Sequence, residues 1–273
     1  MSPGSDPAAS GRSIAPIHTA RLVVMFATYN ERDCIEGALR SVAGVVDTLR
    51  LAGVEMRVLL VDDESPDETA AVAVDVAQRC GLSLTVSSAP RAGLGRAYLR
   101  GFADNAAEGR ADTIVTLDAD GQHDPAQIPV LVAERKRRSL DLLIGSRWVT
   151  GGRVVGLSWG RQVLSRIGGA TFAIVTGTRG VADPTTSYRV FSPALVDMFK
   201  PEGLSVSGYS FFSSFVGVTS ALGYRIGEHP IVFASRTAGA SKLQPRDLVQ
   251  FARNLPALRR EVRGLRAEHR HPR

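Results

Sequence analysis

Residues 113–123 read Thr113-Ile114-Val115-Thr116-Leu117-Asp118-Ala119-Asp120-Gly121-Gln122-His123. An apolar, β-branched run stops abruptly at two carboxylates, as a buried strand does where it meets a polar crevice. The same construction recurs upstream. Leu22–Phe26 leads into Thr28-Tyr29-Asn30, and Arg57–Val61 leads into Asp62-Asp63-Glu64-Ser65-Pro66-Asp67. Between the strands lie stretches with helical spacing: Asp33–Leu49, Ala70–Arg79 with Ser65 as N-cap and Pro66 in the first turn, and Gly93–Ala107. Leu82–Val86 is a further strand, and a helix near Pro125–Arg138 and a strand at Leu142–Gly145 continue the order. Strands alternating with helices of this length predict a single α/β domain, with a Rossmann-like, mostly parallel sheet and helices on both faces. Ligands of such sheets bind beyond the carboxyl ends of the strands, where every polar cluster named here falls.

The composition agrees. Of 273 residues, 44% are hydrophobic and 22% charged, and the mean hydropathy is +0.01, as in a folded soluble domain. Two cysteines, Cys34 and Cys80, make neither a disulfide framework nor a metal cluster, so a reducing cytoplasm is expected. Residues 1–20 are rich in Ser, Pro, Gly and Ala without the apolar centre of a signal peptide, and are expected to be a disordered tail. The charge-free stretch Gly203 to Tyr224 is long enough to span lipid. Its serines and four glycines predict a buried helix and the loop leading into it instead.

The net charge is +6, and Lys242 to Arg273 alone holds nine basic and three acidic residues, so the rest is neutral. A neutral body without a basic stripe interleaved with aromatics argues against a nucleic-acid-binding protein. In the segment 243–273, Leu248, Phe251, Leu255, Leu258, Val262 and Leu265 recur at helical spacing, flanked by Arg253, Arg259, Arg260, Arg263 and Arg266. Pro256 is expected to divide this segment into two helices, Asn254 capping the second. Such a basic amphipathic pattern leaves two readings open: peripheral contact with an anionic membrane surface, or a stripe packed on the domain itself.

Three motifs carry chemistry. Alternation along an extended segment points Asp118, Asp120 and Gln122 to one side. Two carboxylates and an amide oxygen suit Mg²⁺ or Mn²⁺, which could neutralise the phosphates of a nucleotide-diphosphate leaving group. His123 reads as a structural histidine rather than a ligand. The acidic run at 62–67 reads first as capping of the following helix, with contact to a base or ribose as the alternative. Gly93-Leu94-Gly95 resembles part of a phosphate loop without the full spacing. Arg147, Arg161, Arg166 and Arg189 lie in otherwise apolar or Gly-rich segments and suggest a second anionic ligand. No Ser-His-Asp or Cys-His arrangement supports a hydrolase. A sugar-phosphate nucleotidyltransferase would need a Gly-rich loop where the chain reads Ala27-Thr28-Tyr29-Asn30.

In order, Thr28-Tyr29-Asn30-Glu31, Val61-Asp62-Asp63, Ser65-Pro66-Asp67 and Gly93-Leu94-Gly95 resemble the nucleotide half of a family-two glycosyltransferase. Asp118–His123, Gly145-Ser146-Arg147, Asp183–Arg189, Gly208-Tyr209-Ser210-Phe211 and Ser241-Lys242 are similar to the dolichol/polyprenol-phosphate mannosyltransferase branch. The resemblance covers residues 21–242 and implies a GT-A fold. It implies inverting transfer of a hexose, mannose from GDP-mannose first, to a polyprenyl (dolichyl-type) phosphate at the cytoplasmic face of a membrane. The alternative is a UDP-sugar donor with the same lipid or a soluble acceptor.

By motif, the resemblance gives the nucleotide-sugar to Thr28, Tyr29, Glu31, Asp62, Asp63, Gly93 and Asp118. It gives the metal to Asp118, Asp120 and Gln122, and the acceptor phosphate to Arg147, Arg161 and Ser165. Asp183, Arg189 and Lys242 are expected around the sugar and phosphates. The family usually has Gly where Glu64 and Glu68 stand, and often Thr-Ser-Gly-Phe-Arg where residues 185–189 read Thr-Thr-Ser-Tyr-Arg. The appended transmembrane helices of some members are not expected.

Overall fold

The computed structural model describes residues 19–109, 111–156, 158–178, 180–197, 210–236 and 245–270, leaving aside the side chains of 161, 210, 245–248, 269 and 270. The expected tail, the Gly208-Tyr209 pair and Lys242 lie outside the described residues, as does the Arg161 side chain.

Seven strands form one sheet. These are β1 (Ala20–Thr28), β2 (Val54–Asp62), β3 (Leu84–Ser88), β4 (Thr113–Thr116), β5 (Leu142–Ser146), β7 (Arg189–Phe191) and β8 (Ile226–Pro230). Their order is β3-β2-β1-β4-β7-β5-β8. Only β7 runs against its neighbours. Two short strands, β6 (Arg153–Val154) and β9 (Val232–Phe233), pair separately. Alternation along β1 divides the core. Leu22, Val24 and Phe26 face one layer, with α1 (Arg32–Ala43), α2 (Val46–Leu51), α3 (Thr69–Cys80) and α5 (Ile128–Arg137). Val23 and Met25 face the other, with α4 (Leu94–Ala107), α6 (Trp159–Thr176), α8 (Ser210–Ala221) and α9 (Pro245–Arg270). The short α7 (Pro193–Val196) follows β7.

Four expectations need correction. The stretch Asp33–Leu49 is two helices, parted at Gly44. Helix α3 starts at Thr69, not at Pro66, because Glu64 (φ 48°) and Glu68 (φ 65°) are left-handed and fold residues 64–68 into a turn. Ser65 is therefore no N-cap; its hydroxyl accepts from the Asn30 amide at 3.0 Å and donates to Asp62 at 2.6 Å. Finally, Pro256 does not divide the C-terminal segment, since α9 runs through it unbroken. Pro256 faces solvent, while Leu255, Leu258 and Val262 are buried among Phe172, Phe215 and Val216 and hold both halves of the helix. Of the two readings of this stripe, the structure shows the packed one.

Candidate active site

The crevice lies beyond the carboxyl ends of β1, β2 and β4. At the first two, the carboxylates serve the protein. Asp62 accepts from the buried Thr28 hydroxyl at 2.8 Å, the Ser65 amide at 2.8 Å and the Ser65 hydroxyl. Asp63 accepts from the Gly93 amide at 3.3 Å and from Arg100 at 3.2 Å. Gly93 itself sits at φ 94°, a conformation that favours glycine. Asp62 and Asp63 thus knit three loops together, while Asp67 of the same run caps α3 by accepting from the Thr69 amide at 3.1 Å. Thr28, Asp62 and Asp63 are each under 5% exposed and bonded within these loops. Tyr29 and Glu31 stand at the half-buried rim, the Tyr29 ring 3.9 Å from the Arg91 guanidinium carbon.

At the end of β4, Asp118 is half-exposed and Asp120 buried. Burial, and then the charge of Asp118, push the Asp120 carboxyl above its ordinary range. Asp120 accepts from the Gln122 amide at 3.0 Å and is paired with Arg236 at 3.0 Å. Gln122 donates its side-chain amide to the Ala234 carbonyl at 3.1 Å. His123 is structural, as its sequence setting suggested. Its Nδ1 accepts from the Asp118 amide at 3.3 Å, and its ring lies against Tyr188 and Phe233. Burial lowers its pKa to about 4, which leaves it neutral. Among the described residues no three His, Cys, Asp or Glu side chains gather to hold a metal. The donor set expected from the sequence is the two carboxylates of Asp118 and Asp120 and the amide oxygen of Gln122. That suits a hard cation whose remaining positions are filled by phosphate oxygens and water, and the proton affinity of Asp120 marks a place where added positive charge is favourable.

Arg147 stands 5.0 Å from the Phe233 ring, which lies in turn against His123. Asp183, fully buried, grips Arg147 through Nε and Nη2, both at 2.7 Å, and through its backbone amide at 3.0 Å. Burial opposes ionisation of Asp183, but these bonds and the charge of Arg147 outweigh it and hold the carboxyl below its ordinary range. Glu228 fixes the other side of the turn by accepting from the Ala182 and Asp183 amides at 2.7 and 2.9 Å. Arg147 Nη2 also reaches Thr185 at 2.9 Å and Ser165, on α6, at 3.5 Å. Asp183 therefore positions Arg147 rather than facing the crevice.

Arg189 is corrected outright. Expected around the phosphates, it is 1% exposed, and its guanidinium donates to the Pro184 and Thr186 carbonyls at 2.7 and 2.9 Å. Its charge lies over Phe212 and Phe215, and burial lowers its pKa to about 9. It staples the turn that carries Asp183. Sequence reasoning missed Arg236, although an arginine three residues beyond the end of β9 carries the same strand-end signal as the acidic pairs.

Fold and site define the class: this is the architecture of the GT-A glycosyltransferases. The chain belongs to glycosyl transferase family 2, whose domain matches residues 23–198. It is 32% identical over 241 residues to polyprenol monophosphomannose synthase of Mycolicibacterium smegmatis, covering 88% of this chain and 85% of that protein. It is 34% identical over 223 residues to undecaprenyl-phosphate mannosyltransferase of Micrococcus luteus, covering 82% and 87%. Among solved structures it is similar to glucosyl-3-phosphoglycerate synthase from Mycobacterium tuberculosis in complex with Mn²⁺, UDP and phosphoglyceric acid. There the TM-score is 0.63 and the identity 20%, covering 89% of this chain and 78% of that one.

Proposed function

We propose that the protein transfers mannose from GDP-mannose to the phosphate of a polyprenyl phosphate, with inversion at the anomeric carbon. The observation that carries this reading is the Arg147 fork, held rigid by Asp183 beside Ser165 and close enough to Asp118 for its charge to act on that carboxyl. It sets an anion-binding group next to a cation-binding one. The names of the two relatives described above support the donor sugar and the lipid.

The acceptor is an anion at neutral pH, so no strong general base is required. A phosphate oxygen attacks the anomeric carbon from the face opposite the leaving group. The bond from that carbon to the diphosphate breaks, and its electron pair departs with GDP. Arg147, with Arg161 and Ser165, holds the attacking phosphate through its charge and its Nη1 group, its Nε and Nη2 being spent on Asp183 and Thr185. Tyr29 and Glu31 hold base and ribose, within loops shaped by Thr28, Asp62, Asp63 and Gly93. Asp118, Asp120 and the Gln122 amide oxygen would hold a divalent cation, Mg²⁺ or Mn²⁺, that supplies charge to stabilise the departing diphosphate. Lys242 is placed near the phosphates by motif alone.

The test is incubation with labelled GDP- and UDP-sugars and polyprenyl phosphate, with and without EDTA. Label from GDP-mannose should enter the lipid phase and EDTA should abolish it. Transfer from a UDP-sugar only, or to water-soluble acceptors only, would overturn the reading.

A further inference from the structure

The segment that follows β9 is clasped to the loop that follows β4. The Ala234 amide donates to the Gln122 carbonyl at 3.0 Å, and the Gln122 side-chain amide donates to the Ala234 carbonyl at 3.1 Å. Ser235 packs closely on Gly156, where an added Cβ would lie 2.6 Å from the Ser235 Cβ. These contacts deliver Arg236 to Asp120, with Nη2 3.0 Å from Oδ2. Oδ1 of the same carboxylate accepts from the Gln122 amide at 3.0 Å. The pair is sheltered, with 21% of the Arg236 side chain and 3% of the Asp120 side chain exposed. The charge of Arg236 also acts on Asp118, so one guanidinium offsets both carboxylates.

A divalent cation competes for the same carboxylate. Mg²⁺ bonds a carboxylate oxygen at about 2 Å, which would set it beside the guanidinium as a like charge. In a sheltered crevice that repulsion is poorly screened. The acidic pair attracts a dication through its uncompensated charge, and Arg236 removes part of that charge.

We propose that Arg236 is a built-in competitor for the divalent cation and sets its affinity. The proposal rests on the metal reading of Asp118, Asp120 and Gln122. Arg236 neutralises the acidic pair until a cation replaces it. The exchange is a rotation of one long side chain, and the clasp at Ala234 does not have to open. Gln122 donates there through its nitrogen and keeps its oxygen for the cation.

The test is Mn²⁺ binding without nucleotide or lipid, followed by the electron paramagnetic resonance signal of free Mn²⁺. Arg236→Gln should bind Mn²⁺ at least ~10-fold more tightly than the wild type. Arg236→Lys, which keeps the charge, should stay within about threefold of the wild type. So should Arg153→Gln, which removes an exposed charge on β6. Without metal, Arg236→Gln should melt at a lower temperature, since two carboxylates lose their counter-ion. Mn²⁺ should then raise its melting temperature more than that of the wild type, because stabilisation by a ligand grows with affinity. The wild type offers a direct view as well. Its Arg236 side-chain NMR signal, assigned by its absence from Arg236→Lys, should shift on saturation with Mg²⁺. Equal or weaker Mn²⁺ binding by Arg236→Gln would overturn the competition and leave the metal reading standing. A gain shared by Arg236→Lys or Arg153→Gln, or an Arg236 signal that Mg²⁺ does not move, would do the same. Mn²⁺ that binds none of the four proteins would overturn the metal reading and the proposal together.

Discussion

At the scale of single residues, the acidic pair after β4 is the sharpest feature. On the proposed mechanism, Asp120→Ala removes a ligand of the divalent cation that would compensate the diphosphate, and it frees Arg236 from its partner. Transfer should fall at least ~10²-fold, as when one preorganised electrostatic group is deleted from a site. Turnover near wild type, measured by label entering lipid, would remove the pair from the mechanism. A second residue-scale prediction concerns Glu64, which is exposed at φ 48°. A left-handed L-residue costs about 1–2 kcal/mol, against about 0.4–1 kcal/mol for the extra freedom of glycine in the unfolded chain. Glu64→Gly should therefore stabilise the protein by about 0.5–1 kcal/mol in urea unfolding. That conformation also explains why glycine suits this turn. The strand-end positions of Asp118, Asp120 and Arg147 were legible in the sequence because an apolar run that stops at a charge marks where a strand leaves the core. Arg189 was not. An arginine that bonds buried carbonyls looks, in one dimension, like one that binds phosphate.

At the scale of elements, most helices and strands followed from alternation and periodicity, with ends displaced by a few residues. Strand β7 was missed because three buried residues, Arg189–Phe191, show no alternation and enter the sheet antiparallel. Helix α4 shows how closely the layers meet. A Cβ on Gly101 would lie 2.6 Å from Val61 Cγ2 and 2.8 Å from Met25 Sδ, so Gly101→Ala should cost about 1–3 kcal/mol through overpacking, read in chemical denaturation. On α9, burial pushes the Glu261 carboxyl up to about 7 from an ordinary 4.5. A raised acid pKa stabilises the fold below the unfolded value, and that contribution is lost as pH rises towards 7. Glu261→Gln should then change little near pH 4.5. Near pH 8 it should add about 1–2 kcal/mol, a figure reduced for the partial exposure of the group. Scanning calorimetry at both pH values separates this from a pH-independent packing effect, which would raise the two melting temperatures equally.

At the scale of the whole molecule, the C-terminal segment decides how the layers hold together. Its sequence left two roles open, because an apolar stripe bordered by arginines suits a membrane or a protein core equally well. Only the position of α8 and α6 resolves this, and that is a property of the tertiary fold. Helix α9 lies on both, buries Leu255, Leu258 and Val262, and passes so close to α8 that a Cβ on Gly217 would be 3.2 Å from Val262. Arg266 ties it further to the Gly177 carbonyl, at 3.0 Å. Three buried aliphatic side chains contribute roughly 5–9 kcal/mol between them, against a total stability of about 5–15 kcal/mol for an ordinary domain. A chain ending at Gln244 should therefore lose its cooperative melting transition and bind a hydrophobic dye, since Phe172 and Val216 would face water. If the truncated chain instead melts within a few degrees of the full one and loses only vesicle binding, α9 is a membrane arm and not part of the core. The arginines on its exposed side, at 253, 259, 260 and 263, sharpen the comparison. Replacing these four with glutamine removes charge without touching the buried stripe. The fold should survive that change although it does not survive the truncation.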